Sequence, residues 1–354
     1  MKIGILTFHC AYNFGALLQA YALQKTLKDM GHEACIIDYR PSYLAWSRPS
    51  VGLRSFITRH PFRLLKRLLR LKNARRYYDN FFRFEKQEFS LAPLDKPISW
   101  DTVIVGSDQI WNGRYNGKDP IWFGNLPAGH TTQNLITYAA SAGDAGKAEL
   151  DGIDLAKNCE KFDSILVREK VLGDRLAACG IDSHIVLDPV LMAEESVWTE
   201  WKKQHINKKY VLVYQGRQDE NVLRIAREIA QQRGCHVVVV DQYENGRNQP
   251  YKHVDISPAE FVSYVANAEC VVTSSFHGTA VSIVTKTPFY SIRMNDGADG
   301  RVSEILKQLG LEDRFIDKEK SVEFSKIDYS EADQKLNVLR DRSKKLLIKS
   351  ISKC

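Results

Sequence analysis

The sequence predicts an α/β protein of two doubly wound domains facing a cleft. Three observations carry this. Short β-branched apolar runs alternate with stretches of helical spacing in both halves of the chain. The N-terminus opens as a βαβ unit with a loop at the carboxyl end of its first strand, where doubly wound folds bind ligands. At 354 residues, the chain is too long for one ordinary core.

In the first half, Lys2 to Phe8 reads as a buried strand. The loop His9 to Gly15 follows, then a helix over Ala16 to Met30 that Gly31 ends in the usual C′ place. The loop lacks the glycine spacing of a dinucleotide site. Strands are expected at 34–39, 102–105, 135–140, 162–167 and 184–187, with a helix from Arg168-Glu169-Lys170 to Cys179. Asp188-Pro189 closes this half, and a crossing with a helix near 197–204 follows. The second half should hold strands at 210–214, 235–240, 271–273 and 289–293. Its helices are expected at 220–232, 258–268 and 302–309, with a basic final helix at 333–349. The expected division is a first domain over 1–192 with a basic helical insertion at about 54–89, a second over 193–325, and a C-terminal helix over 326–354.

The hydrophobic fraction of 44% and charged fraction of 26% are those of a soluble globular protein. No apolar run approaches the roughly 20 residues of a membrane span. The N-terminal run is short and leads into a helix, so a signal peptide is not expected. The seven cysteines stand singly, without zinc spacing, which suits a reducing cytoplasm. Cys10 lies in the first loop, where a functional role is open. No metal or cofactor is expected. A net charge of +7 favours an anionic partner.

Arg54 to Arg76 carries nine Lys and Arg residues and no acid, with leucines interleaved at roughly helical spacing. It reads either as helices with solvated basic sides or as a surface for anionic lipid headgroups or a diphosphate-linked substrate. No recognised nucleic-acid module accompanies it, so nucleic acid is not expected. In Gly106 to Asn112, Asp108 and Gln109 suit sugar hydroxyls, and Trp111 suits stacking on a sugar ring or a place in the core.

Val271 to Thr285 reads as strand, tight turn and helix. Thr273, Ser274 or Ser275 would cap the helix and leave its first N–H groups facing a bound anion. His277 sits in the turn as a proton donor or as a capping histidine. Gly278 behind it would let a ligand approach the backbone.

Taken together, Tyr12-Asn13-Phe14-Gly15 with Leu18-Gln19-Ala20-Tyr21-Ala22-Leu23, the Gly106–Asn112 loop, Arg168-Glu169, Asp188-Pro189 and Ser275-Phe276-His277-Gly278-Thr279 resemble the polysaccharide pyruvyl transferase family. The resemblance implies two Rossmann-like domains arranged as in GT-B glycosyltransferases. It implies transfer of the enolpyruvyl group of phosphoenolpyruvate onto two hydroxyls of one sugar, giving a cyclic ketal and phosphate. By that likeness, His277 is the catalytic histidine and Arg168 holds the donor. A further basic residue is matched best by Arg301 and next by Arg293. The donor set is then Arg168, from the first domain, with Ser275, Gly278, Thr279, Arg301 and Arg293 from the second, which is the expected phosphoenolpyruvate side. The acceptor set is Asn13, Asp108, Gln109 and Trp111, on the first-domain side. Ala16 stands where many members carry an acid, so no role of that acid is carried over.

The residues suit this chemistry. Phosphoenolpyruvate brings a carboxylate and a phosphate that two arginines and a helix N-terminus can hold. Ketal formation needs an acid for carbon and a base for the hydroxyl, and histidine serves either role. An acceptor carried on a lipid diphosphate would place a cytoplasmic enzyme at the inner membrane face, in peripheral contact with anionic lipid. The competing expectations are a nucleotide-sugar-dependent glycosyltransferase of GT-B type and a non-catalytic sugar- or phosphate-binding protein.

Overall fold

The computed structural model describes residues 1–44, 78–143, 146, 150–202, 208–216, 219–240, 252–254, 256–295 and 299–352. The basic segment Arg54 to Arg76, expected to be helical, lies outside them.

The first half runs β1 (Lys2–Leu6), α1 (Phe14–Asp29), β2 (Glu33–Ile37), α2 (78–88), β3 (Leu91–Ala92), β4 (Ile98–Val105) and β5 (His130–Thr137). It continues through α3 (Leu155–Cys159), β6 (Leu166–Val167), α4 (Lys170–Ala178), β7 (His184–Ile185), α5 (Pro189–Met192) and α6 (Ser196–Thr199). The second half holds β8 (Tyr210–Tyr214), α7 (Glu220–Arg233), β9 (His236–Val240), β10 (Lys252–Val254), α8 (Pro258–Ala266), β11 (Cys270–Thr273), α9 (Phe276–Thr285), β12 (Phe289–Arg293), α10 (Asp299–Leu309) and β13 (Phe315–Asp317). The last helix is α11 (Ser330–Ile351).

Both large sheets are parallel and doubly wound. The first has order β3-β2-β1-β4-β5, and the second β10-β9-β8-β11-β12-β13. The strand order therefore reverses beside β1 in one sheet and beside β8 in the other, and ligand crevices open at such points. The pair β6–β7 continues the first sheet through bridges from Ile136 to Ser164 and from Ala140 to Val167. Only two residues of the expected 162–167 strand pair with β7. The helix expected near 197–204 is a single turn, and β3, β10 and β13 are edge strands too short for periodicity to reveal.

Local signals explain the helix ends. Asn13 caps α1 by accepting from the Ala16 N–H at 3.1 Å. Ser257 and Glu260 close a capping box on α8, with Pro258 in its first turn. Asp219 caps α7, and Gly234 ends it at φ 60°.

The helix α11 ties the halves together. On the first half, Asn134 Nδ2 donates to the Ser350 carbonyl at 2.9 Å, and the Leu187 N–H donates to Ser343 Oγ at 3.0 Å. On the second, Lys286 Nζ meets Asp333 Oδ2 at 2.7 Å, and the hydroxyl of Tyr329, just before the helix, donates to the Thr287 carbonyl at 2.7 Å.

Asn134 is buried, so Asn134→Ala leaves the Ser350 carbonyl without its donor. The expected loss is about 1–3 kcal/mol, the cost of an unsatisfied buried polar group. It should appear as a lower urea midpoint, and an unchanged midpoint would show that α11 is held by its apolar contacts alone.

Candidate active site

The site begins with the turn from β11 to α9. Thr273 Oγ1 donates to the Tyr214 carbonyl at 2.6 Å and accepts from the Ser275 N–H at 3.0 Å. This hydroxyl locks the turn to the neighbouring strand. Ser275 is the N-cap of α9, yet its side chain makes no capping bond. The expected capping by a side-chain hydroxyl is absent, and the first turn of α9 is left open at the cleft end of the strands.

Gly278 serves packing rather than ligand approach. A Cβ there would lie 2.2 Å from Thr273 Oγ1 and 3.0 Å from Tyr214 Cδ1, so only glycine lets α9 lie this close to the sheet. Thr279 is fully buried. Its hydroxyl lies 2.6 Å from that of Ser291 and donates to the Ser275 carbonyl. The Thr279 side chain leaves the expected ligand-contacting set for a structural reason: it builds the floor beneath the turn, while Gly278 keeps only its backbone N–H for a ligand.

His277 sits where the two halves meet. A Cβ on Gly15 would fall 2.0 Å from its Nδ1, so the backbone of α1 packs directly on the imidazole ring. The other ring nitrogen, Nε2, is buried, has no hydrogen-bond partner among the described residues, and lies 3.6 Å from Asp188 Oδ2. At that distance the contact is electrostatic.

Asp188 caps the short helix α5, accepting from the Val190 N–H with Oδ1 at 2.9 Å. Its Oδ2 accepts from Arg168 Nη1 at 2.8 Å. Burial opposes the charge on this carboxylate, but the His277 ring, Arg168 and the Val190 N–H outweigh it. They hold its pKa well below the usual carboxylate range.

Arg168, at the end of β6, is buried and fully engaged. Nε donates to Glu169 Oε1 at 2.8 Å and Nη2 to Ser141 Oγ at 2.9 Å, and Ser141 in turn donates to Glu169 at 2.7 Å. Burial would lower its pKa, but Glu169, Asp188 and Asp108 raise it, so the guanidinium stays charged. The guanidinium is therefore ion-paired with two carboxylates, Glu169 and Asp188. Its guanidinium carbon also sits 5.1 Å from the Phe276 ring centre, and that of Arg301 at 5.8 Å from the same ring.

The two candidates for the further basic residue part company. Arg301 on α10 shares a cavity wall with Arg168, Asp188 and Phe276. Arg293 pairs with Asp317 at 2.8 Å and stacks on Phe315 at the end of β12, outside that cavity.

The loop after β4 reaches the same edge. Asp108 adopts φ 67°, its carbonyl accepts from the Ser141 N–H at 3.1 Å, and Oδ1 accepts from the Gln109 N–H. Gln109 Oε1 accepts from Asn112 at 2.9 Å and lies over Gly143, where a Cβ would come within 2.6 Å. Asp108, Gln109 and Asn13 are half-buried. Trp111 is not at the surface at all. It stacks on Phe123 and its Nε1 donates to the Trp122 carbonyl at 2.8 Å, so it is core and cannot stack on a sugar here.

The structure thus brings together Gly15, Asp108, Ser141, Arg168, Glu169, Asp188 and His277 from the carboxyl edges of both sheets. Asp188, Glu169 and Ser141 were not expected as site residues. The only signal was their place in Asp-Pro and Arg-Glu pairs and in a loop after a strand. Among the described residues, no group of three or more His, Cys, Asp or Glu side chains is placed to hold a metal ion.

The sequence model of the family described as polysaccharide pyruvyl transferase matches residues 13–296. The chain belongs to that family. No match was found among curated proteins. Among solved structures, the chain is similar to a Methanocaldococcus jannaschii UDP-GlcNAc 2-epimerase at 12% identity, covering 96% of this chain and 93% of that one, with a TM-score of 0.47. It is also similar to a Rickettsia bellii UDP-N-acetylglucosamine 2-epimerase at 10% identity, covering 99% and 96%, with a TM-score of 0.45. A spinosyn rhamnosyltransferase is similar at 12% identity, covering 100% and 96%, with a TM-score of 0.40. The fold assignment rests on the two parallel sheets themselves.

Two outcomes test this site of the family member. Gly15→Ala should displace the His277 ring and cost transfer activity nearly as much as removing the ring. An unchanged rate would show that the ring position is not needed. Asp188→Asn removes the charge compensating buried Arg168 and should cost about 3–5 kcal/mol. The folded-state pKa of Asp188 is depressed, so its ionised form stabilises the fold above the unfolded carboxylate value near 4. That contribution fades as pH falls toward the folded pKa. The gap between wild type and variant in urea unfolding should be flat from about pH 8 to 5 and narrow below about 4. A gap independent of pH down to the acid range would exclude the ion pair as its source.

Proposed function

We propose that this member transfers the enolpyruvyl group of phosphoenolpyruvate onto two hydroxyls of one sugar, in a polysaccharide or its lipid-linked precursor. The observation that carries the reading is the His277 ring, whose buried Nε2 has no hydrogen-bond partner among the described residues and faces the Asp188 carboxylate at the meeting of the two halves.

The donor's methylene carbon takes a proton and becomes a methyl group, leaving an oxocarbenium-like centre at C2. One sugar hydroxyl attacks C2 and loses its proton, the C2–O bond to phosphate breaks, and the neighbouring hydroxyl closes the ketal with loss of a second proton. The product gains one pyruvate less water, and one phosphate is released. His277 is the group that moves protons in this scheme. A positive charge forming on its ring meets the ionised Asp188, which therefore acts as a positioning and charge-balancing residue.

Arg168 and Arg301 flank Phe276 on the donor side, and Arg301 adds positive charge there. The open first turn of α9, with Ser275 at its cap, adds N–H groups that favour an anion. Asn13, Asp108 and Gln109, at the edge of the first sheet, remain the acceptor side. No helix among the described residues is long and apolar enough to cross a membrane. The lipid-linked acceptor would bring the enzyme to the inner face of a membrane, where each basic residue of Arg54 to Arg76 can contribute about 1 kcal/mol toward anionic lipid.

Incubation with phosphoenolpyruvate and a panel of lipid-diphosphate sugars, read by mass spectrometry and phosphate release, tests the reaction. Tight binding of a nucleotide diphosphate without phosphate release from phosphoenolpyruvate would favour a glycosyltransferase instead. His277→Ala should lower the transfer rate by about 10²–10⁴-fold with the fold intact. A well-folded variant with near-normal turnover would remove His277 from the chemistry.

Cosedimentation should show binding to anionic vesicles at low salt and release at high salt. Reversing the charges of Arg63, Lys66, Arg67 and Arg70 should weaken it without slowing turnover on a short soluble acceptor. Equal binding to neutral vesicles would reject the electrostatic reading.

A further inference from the structure

Resting on the donor assignment above, we propose that Arg301 on α10 and Arg342 on α11 form the seat for the donor's phosphate. The C-terminal helix then completes the donor site.

The argument starts from charge that is already spent. Three nitrogens of Arg168 are bonded to Glu169, Asp188 and Ser141, and two carboxylates balance its charge. An incoming dianion therefore needs other cations. The cavity beside Arg168 has two more on its wall, Arg301 and Arg342. Arg342 makes no hydrogen bond or ion pair among the described residues, so its fork of donors remains available.

The backbone carrying Arg342 is firmly placed. Ser343 Oγ accepts from the Leu187 N–H at 3.0 Å, and Arg340 Nε donates to the Leu191 carbonyl at 2.8 Å. These bonds fix one turn of α11 at the cavity rim. The remaining wall is largely apolar, with Leu187, Leu191 and Ile305, which strengthens ion pairing inside it. Glu304, an acid on the same wall from α10, accepts from the Lys170 N–H, and burial pushes its pKa up.

The seat adjoins the proton-moving group. Asp188 lines the cavity and also faces His277, and Phe276 lines it one residue before His277. Asp188 thus stands between the cavity and the His277 ring. Arg301 is the further basic residue that the family resemblance implies, whereas Arg342 lies beyond residue 296, where the family match ends, and its assignment comes from the placement of α11.

The test uses full-length enzyme with Arg342→Ala, Arg342→Lys and, as a control on the same helix, Lys345→Ala. Inorganic phosphate is the binding probe by calorimetry, and phosphoenolpyruvate is varied in turnover assays at fixed acceptor. Loss of a charge-assisted pair predicts that Arg342→Ala raises both the phosphate Kd and the donor KM by about 10–100-fold. The value of kcat should stay within a few-fold, and Lys345→Ala should match wild type. Arg342→Lys should fall between, because lysine keeps the charge but not the bidentate fork. Unchanged phosphate Kd and donor KM in Arg342→Ala would overturn the seat, as would absence of phosphate binding to the wild type. If the wild type turns over no phosphoenolpyruvate yet loses phosphate affinity in Arg342→Ala, the seat stands and the donor assignment falls.

Discussion

The buried Asp188 carboxylate is the contact on which the candidate site depends. It carries charge in a place where charge is costly, and is held there by Arg168 at 2.8 Å and by the His277 ring at 3.6 Å. Arg168 comes from the end of β6, Asp188 from the cap of α5 and His277 from the first turn of α9, so one carboxylate links three elements and both halves of the chain. Without it, a buried guanidinium would keep, among the described residues, only Glu169 as its ionic partner within hydrogen-bond distance. The low-dielectric setting that makes such a loss costly also makes the group useful beside a histidine that must change its charge.

Backbone packing holds the geometry that electrostatics uses. Gly15 admits the His277 ring, and Gly278 admits α9 against Thr273 and Tyr214. Each contact is closer than any side chain would allow. Buried hydroxyls of Thr273, Thr279 and Ser291 then fix the turn beneath the ring. Reversal of strand order at β1/β4 and at β8/β11 brings the loops of both sheets to one edge, and α11 crosses back to close the cavity from behind. The site is thus the product of two topological switch points and one returning helix.

Much of the fold was legible because its signals are local. The buried runs Tyr210–Tyr214 and Phe289–Arg293 match their observed bounds, and α7 starts at Glu220 as expected. Edge strands of two or three residues carry no periodicity, so β3, β10 and β13 were not legible. In the site, His277 and Arg168 were legible as chemistry in strand-end turns, but Trp111 and Thr279 were misplaced. A tryptophan or a threonine at a loop or helix start reads alike whether it faces a ligand or the core. Arg301 ranked above Arg293 only by the resemblance; in the structure β13 places Asp317 against Arg293, and α10 turns Arg301 to the cavity.

The sequence by itself determined the alternation of strands and helices, the parallel two-sheet class, the family pattern and the residues able to move a proton or hold an anion. These follow from side-chain period, caps and residue chemistry, which act over a few positions. Tertiary structure alone decided that Asp188 lies between Arg168 and His277, that Gly15 is the wall behind the imidazole, and that a helix 140 or more residues further on reaches the same cavity. Those placements depend on where the chain returns after long connections, and no local preference records the partner a side chain meets across such a distance.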